Sequence, residues 1–538
     1  MNPTGSTPER AATAPVAARF EQWLPALNRI LRAAVIALSA FFVLLFLYTA
    51  LRRMHYPFDL EWVESGILVS VARIVHHQPL YTAPSMDYIP YLYAPLYFYV
   101  CAFVAKFTGI SFFTLRLVST LSALGSLAIL FAFVYRETRD WFAAIATVGV
   151  FVSMYSFIGA WFDIGRVDSL FVFLFLLALY CTRFAPPVLA AIVWTLAFQT
   201  KQSAIPIAVL FLLTYWERER KSRVVIGLAT FAVLAWSSIH LIDHANGGWY
   251  NFYVFGATKG LPPVMRMGAL YIPEVVLAPL AVALLVIAAS AVLVPSSLES
   301  RTARFYLIGS FTTFMAFWYV HWHRGVGNSM QVLYAWIALM LGIALHRIMS
   351  ALAKPESPLQ AWTPRLQALL LLAVCIQLAS QIYNPGQYIP PASQREAREA
   401  LIAQVKQIPG DVYIVNHSFD DVLANKQPHA EGEAIGAIID AFPGTWRERV
   451  IDQLHTDAVN HRYSAIVLDG YYKAWLKPDT LAEYPVIIPA AGSDAGTYLT
   501  SQPAIVLLPC SAVTDGTAQR IVPEGHIMDA RACASPAK

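Results

Sequence analysis

Three carboxylates fall within six residues at Asp59-Leu60-Glu61-Trp62-Val63-Glu64. Side chains of this type take protons from hydroxyl groups or pair with cations. If the segment coils, Glu61 and Glu64 stand three residues apart on one face, and Ile67, Val71, Ile74 and Val75 form a separate apolar stripe. A helix of that kind lying flat at a bilayer surface presents its carboxylates to whatever sits among the lipid headgroups. A solvated acidic patch is the plain alternative. Farther on, Asp163 and Asp168 flank Arg166 in WFDIGRVD, where an apolar run begins. An anion site fits this pattern, and so does an ion pair that caps a helix. Gln199-Thr200-Lys201-Gln202 interrupts another apolar stretch. A lysine at that depth either snorkels or meets an anion, and a lipid phosphate is a suitable one. His321-Trp322-His323-Arg324-Gly325, with Asn328 and Gln331 close behind, offers two imidazoles but no obvious third metal ligand. Phosphate or sugar contact is the expectation there, with an interfacial aromatic belt as the alternative. Lys259 and Arg266 share a loop with Trp249, Tyr250 and Tyr253, which adds cations and aromatic faces suited to sugars or to any membrane interface. The sequence has no phosphate-binding glycine loop, no G-x-S-x-G and no Cys/His zinc spacing. The energy for any reaction must then arrive with the substrate.

These residues need elements to hold them, and the composition says which. Of 538 residues, 57% are hydrophobic and only 13% are charged, against about 25% charged in an ordinary soluble domain. That balance excludes a soluble enzyme and a disordered chain. The apolar residues run together, as bilayer-spanning helices require. The net charge of +4 is no argument for a nucleic-acid partner. Apolar runs lie at about 33–50, 116–135, 141–158, 168–184, 188–200, 203–216, 224–242, 272–294, 305–320, 329–345 and 366–382, which predicts about eleven crossings. The run 91–107 is read as an interfacial or re-entrant helix. With that assignment, Arg136/Arg139, Arg183, the 217–223 cluster, Arg301/Arg304 and the 346–365 cluster all fall in the cytoplasm, as the positive-inside rule asks. Residues 1–31 are then a cytoplasmic segment and 32–382 a membrane module, with 52–115 as its first outer loop.

Residues 383–538 differ in composition. DVYIVN (411–416) and SAIVLD (464–469) read as short buried strands and 446–455 as a helix, which predicts a small α/β domain outside the cytoplasm. Its last thirty residues, rich in Pro, Gly and Ala, are expected to be loose. Of the five cysteines, Cys101, Cys181 and Cys375 lie in or beside apolar runs. Cys510 and Cys533 can pair if their domain is extracytoplasmic.

The order of these segments resembles a known family. An acid after the first helix is followed by an interfacial helix, by QPLY (78–81), by YAPLYFYVCAFVAKFTG (93–109) and by RLVSTLSAL (116–124). This is similar to the GT-C superfamily of polytopic glycosyltransferases, most of all to bacterial members related to protein O-mannosyltransferases and the lipid A aminoarabinose transferase. The resemblance covers residues 33 to about 345. In that family the catalytic Asp or Glu stands eight residues before the alanine of an I-A-x-x-hydrophobic helix, and eight before Ala72 is Glu64. The usual Asp-Glu pair is absent, since Ser65-Gly66 follows, and Glu61 stays open as the alternative. APLY (94–97) corresponds to a family helix that does not cross. GRVD (165–168) looks like the Arg-x-Asp of the second outer loop, and TKQSA (200–204) is similar to another family motif.

The resemblance implies an inverting sugar transfer from a polyprenyl-phosphate donor to a glycan, lipid or protein acceptor at the periplasmic face of a bacterial inner membrane. Glu64 or Glu61 would be the general base. Asp59, Arg166, Asp168, Lys201, Gln202, Lys259, His321, His323, Arg324 and Asn328 would bind substrate. No cofactor is expected, with a divalent cation left open. A transporter or flippase of a lipid-linked glycan is the alternative from another class. It calls for paired broken helices in two related halves, and the sequence shows no such duplication.

Overall fold

The computed structural model describes residues 16–216, 221–261, 272–294, 300–322, 327–355, 360–469, 476–493 and 503–533. Each apolar run named above is helical over most of its length. Among the described residues, seven helices are long and apolar enough to cross a bilayer: Trp23–Met54, Phe112–Thr138, Val167–Phe184, Ser222–Ala245, Ile272–Leu293, Gly327–Leu352 and Gln360–Ala379. The runs near 141, 188 and 203 fold as shorter helices of 13, 12 and 10 residues.

The first eight helices position the residues of interest. They are α1 (Val16–Met54), α2 (Val63–Val75), α3 (Leu96–Thr108), α4 (Phe112–Thr138), α5 (Trp141–Ser153), α6 (Val167–Phe184), α7 (Pro187–Phe198) and α8 (Ala204–Leu213). Local chemistry sets their ends. Gly109 stops α3 in a backbone conformation with φ of 81°, which a side chain would disfavour. The Asp140 carboxylate caps α5 by accepting from the amides of Phe142 and Ala143. Pro187 opens α7, where its missing N–H costs nothing. The polar stretch Gln199–Gln202 separates α7 from α8, as expected from the sequence. α3 is apolar but only 13 residues long. Tyr99, Phe103 and Phe107 recur every four residues along it and are all exposed, so one face of the helix has no protein against it.

The strands all lie in the C-terminal residues among those described. They are β1 (Val412–Ile414), β2 (Ala465–Asp469), β3 (Val486–Pro489) and β4 (Pro503–Leu508), in the sheet order β1-β2-β4-β3. β1 and β2 are parallel and the other pairs antiparallel. The crossover that a parallel pair requires contains the expected helix, Trp446–Val459. One face of the sheet packs Val412, Ile414, Val467, Val506 and Leu508 with the helix Ala392–Lys406. The opposite face, with Tyr413, Ile466, Leu468 and Leu507, joins the large core that continues into the membrane module. The expectation of a loose tail is corrected for its described part. Cys510 and Cys533 form a disulfide, Thr517–Ile521 is helical with Ala518 and Ile521 buried, and Asp529 pairs with Ile487 of β3.

Candidate active site

The acidic loop lies between α1 and α2, and each of its three carboxylates has found a different partner. Glu64, in the first turn of α2, is fully buried. Its Oε1 accepts from Arg116 Nε at 3.0 Å and from the Gly165 amide at 2.6 Å. Its Oε2 accepts from the Leu60 amide at 2.7 Å and from Arg116 Nη2 at 2.7 Å. Arg116 projects from α4 and spends its remaining donors on the carbonyls of Arg53, Tyr56 and Phe58. Both oxygens of Glu64 are thus saturated, and the carboxylate ties the loop between α1 and α2 to the loop between α5 and α6. Gly165 has no side chain because there is no room for one: a Cβ there would lie 2.6 Å from Leu115 Cβ and 2.9 Å from Glu64 Oε1.

Glu61 faces the other way. Its Oε1 accepts from Arg166 Nη1 at 2.5 Å and its Oε2 from the Val63 amide at 3.1 Å. Burial pushes its carboxyl up to about 7, against the pull of the Arg166 guanidinium. Arg166 immediately precedes α6 and stands 4.6 Å from the Trp161 ring. Its Nη2 donates to the Tyr93 hydroxyl at 2.8 Å and its Nε to Asp168 Oδ2 at 3.3 Å. Asp168 Oδ1 in turn accepts from Lys201 Nζ at 2.5 Å and from Asn328 Nδ2 at 3.3 Å. A continuous chain therefore runs Glu61–Arg166–Asp168–Lys201, with Asn328 at its end. It borders a small cleft lined by Asp168, Lys201 and Asn328 together with Phe171, Ile207 and Val332. The lining mixes charged and apolar side chains, a combination that suits the phosphate and hydrocarbon of a lipid phosphate.

Asp59 does not join this chain; its partners Arg398 and His417 lie in the C-terminal residues that build the sheet and its flanking helix. Gln202 Nε2 donates to the Leu92 carbonyl and to Thr258 Oγ1, which fixes the turn before α8 against the segment ahead of α3. Lys259, one residue on, is exposed. The side chain of His321 and the whole of His323, Arg324 and Arg266 lie outside the described residues. Among the described residues, no three His, Cys, Asp or Glu side chains are grouped to hold a metal ion.

Sequence reasoning passed over four residues that the geometry brings in. Arg116 opens the RLVSTLSAL segment, and its place there was the available signal. Tyr93 likewise begins the YAPLY segment. Arg53, in the last turn of α1, is fully buried. It donates to Asp163 Oδ1 at 2.8 Å and to the Ala160 carbonyl at 2.9 Å, and so braces the loop that carries Gly165 and Arg166. The fourth, His417, had no local signal at all.

No protein-family model matches the sequence, and no curated protein is significantly similar to it. Solved structures do match. ArnT from Cupriavidus metallidurans bound to undecaprenyl phosphate is similar with a TM-score of 0.57 at 13% identity, over 88% of this chain and 97% of that one. The apo state of the same protein gives 0.56 at 12% identity, over 91% and 98%. The archaeal oligosaccharyltransferase AglB from Archaeoglobus fulgidus, in complex with an inhibitory peptide and a dolichol-phosphate, gives 0.51 at 13% identity, over 86% and 72%. Both proteins are members of the GT-C superfamily, and theirs is the fold of this chain.

Proposed function

We propose that this chain, built on the GT-C fold, is a membrane glycosyltransferase that moves a sugar from a polyprenyl-phosphate carrier to an acceptor hydroxyl at the extracytoplasmic face. The observation that carries the reading is the chain Glu61–Arg166–Asp168–Lys201 along a half-apolar cleft. The lipid phosphates held by ArnT and AglB support it. The acceptor oxygen attacks the anomeric carbon while the bond from that carbon to the phosphate oxygen breaks, which inverts the configuration. Glu61 takes the hydroxyl proton, a step worth about 10²–10⁴-fold. The electron pair leaves with the lipid phosphate, and Lys201 and Arg166 stabilise its growing charge.

Glu61 is preferred to Glu64 as base because a carboxyl near 7 is matched to proton transfer at neutral pH. Glu64 has four donors on its two oxygens and is assigned to positioning. Sidedness is read from the basic clusters, which all fall in the cytoplasm when residues 52–115 and 383–538 are outside and would all move outside in the opposite arrangement. The Cys510–Cys533 bridge is in keeping with an oxidising compartment.

The test is release of free polyprenyl phosphate from a lipid-linked sugar by the purified protein in nanodiscs with candidate acceptors. Wild type should release it and E61Q should not. Equal release by both would remove Glu61 from the reaction, and no release by wild type with any donor would remove the transfer itself.

A further inference from the structure

The acidic loop is held from the C-terminal domain as well as from the helices around it. Phe58, one residue before Asp59, is buried in the core of that domain with Leu401, Val405 and Ile414. Asp59 follows it in. Its Oδ2 accepts from His417 Nδ1 at 2.7 Å and from Ser65 Oγ at 2.7 Å, and its Oδ1 accepts from Arg398 Nη2 at 3.1 Å. Asp59 and Ser65 bracket Glu61 and Glu64, so a single carboxylate closes the loop that carries both.

The grip has depth behind it. His417 Nε2 faces Asp469 Oδ2 on β2 at 3.4 Å, and Arg398 Nε meets Asp420 Oδ2 at 2.5 Å. Asn416 Nδ2 donates to Asp469 Oδ2 at 3.2 Å, and Glu431 also stands near His417 and Asp59. Arg398, His417 and Asp59 are all buried. Burial and Arg398 push the His417 imidazole down, but Asp59 and Asp469 carry it up to about 10, so it stays an imidazolium, with Nδ1 bonded to Asp59 and Nε2 within ion-pair distance of Asp469. The same domain holds a second segment of the site. The Ala430 amide donates to the Met86 carbonyl at 2.9 Å, and Gln453 Oε1 accepts from the Met86 amide at 3.3 Å. Seven residues beyond Met86 is Tyr93, the hydroxyl partner of Arg166.

We propose that Arg398 and His417 are positioning residues of the transfer reaction: anchored in the C-terminal domain, they grip Asp59 and so fix the loop that presents Glu61. This rests on the function proposed above. A buried ion cluster is weak evidence for stability in itself, but it specifies geometry, and a displacement of about 1 Å at a reacting group costs on the order of 10²-fold in rate.

The experiment compares wild type, H417F, H417N and D59N in nanodiscs. H417F fills the space without a donor, whereas the Asn amide nitrogen of H417N stands where Nδ1 does. H417F should lower kcat by roughly 10²-fold while donor-lipid affinity stays at the wild-type value, and H417N should recover most of the rate. Amide exchange over residues 58–66 should quicken in H417F with β1 and β2 still protected. Wild-type kcat and wild-type protection of 58–66 in H417F would overturn the proposal. If H417F unfolds the sheet, D59N decides, because it changes only the loop side: a kcat loss with the sheet intact supports the grip, and wild-type kcat rejects it. If wild type transfers no sugar, the transfer reading fails, and the exchange rates still judge the grip.

Discussion

Glu61→Gln separates the two carboxylates as candidates for the base. The substitution keeps the size of the side chain and its acceptor for the Val63 amide, but the amide cannot take a proton. Arg166 is not stranded, since Asp168 and Tyr93 remain its partners. Loss of a general base costs about 10²–10⁴ in kcat, or ~3–5 kcal/mol of barrier. Stability should move in the opposite direction. Burial raises the Glu61 carboxyl from an ordinary 4.5 to about 7. Such a group contributes stability in its protonated form below about pH 4.5 and loses that contribution as pH rises through 7. The loss is on the order of 3 kcal/mol in the limit. E61Q should therefore melt with wild type at pH 5 and above it at pH 8.5. Wild-type kcat should climb with pH between about 6 and 8 as the base is uncovered. Glu64→Gln has the reverse signature. It leaves the fully buried Arg116 guanidinium hydrogen-bonded only to neutral partners, and breaking a buried pair costs about 3–5 kcal/mol. Thermal melts at both pH values and single-turnover kinetics read all four quantities. If E64Q abolishes turnover with an unchanged melt while E61Q retains more than a tenth of the rate, Glu64 is the base and the assignment is refuted.

Lys201→Ala should weaken binding of free polyprenyl phosphate about 10- to 150-fold, the loss of one charge-assisted hydrogen bond; unchanged affinity by isothermal titration would move the phosphate out of this cleft. Gly165→Ala should destabilise by about 1–3 kcal/mol, because its Cβ would lie 2.9 Å from Glu64 Oε1, and a wild-type melt would contradict the packing described. Replacing Cys510 and Cys533 by serine should lower stability by about 3 kcal/mol through loss of a bridge across 23 positions, while turnover stays at the wild-type value; alkylation of either thiol without prior reduction would show that the bridge is absent.

The fold was legible where a pattern repeats within one element. Apolar runs gave helices, short continuous apolar stretches gave β1 and β2, and the segment between them read as a helix. β3 and β4 escaped notice. VIIP and PAIVLL are short and proline-bounded, and such runs do not separate strand from loop by periodicity alone. The tail was misjudged because its composition is that of a loop, whereas its order comes from a disulfide and from pairing with β3, contacts that composition does not encode.

The site was legible as an inventory but not as a set of pairs. Arg166 beside Asp168 could be read locally, because the partners are two residues apart. Glu64 with Arg116 could not: they are 52 positions apart, and only the packing of α2 on α4 brings them together. Arg53, in the last turn of α1, is buried against Asp163, 110 positions away. Asp59 stood with Glu61 and Glu64 as one acidic patch, and the structure sends each of the three to a different cation.

This pairing bears on how the site releases its product. Glu61 and Asp168 carry two negative charges and Arg166 and Lys201 two positive ones, so with Glu61 ionised the chain is neutral and has little attraction to spare for a phosphate. When Glu61 takes the acceptor proton, the balance becomes one positive charge, and Arg166 loses its 2.5 Å partner as charge gathers on the leaving phosphate. The base thus frees a cation at the moment one is needed, and surrendering the proton afterwards weakens the hold on the product. E61Q copies the protonated state permanently. At pH 8, where wild-type Glu61 is ionised and the ligand charge is the same for both proteins, E61Q should bind free polyprenyl phosphate several-fold more tightly than wild type. At pH 6 the two affinities should draw together, since wild-type Glu61 is then mostly protonated. Equal or weaker binding by E61Q at pH 8 would mean that Arg166 is not the cation that Glu61 controls.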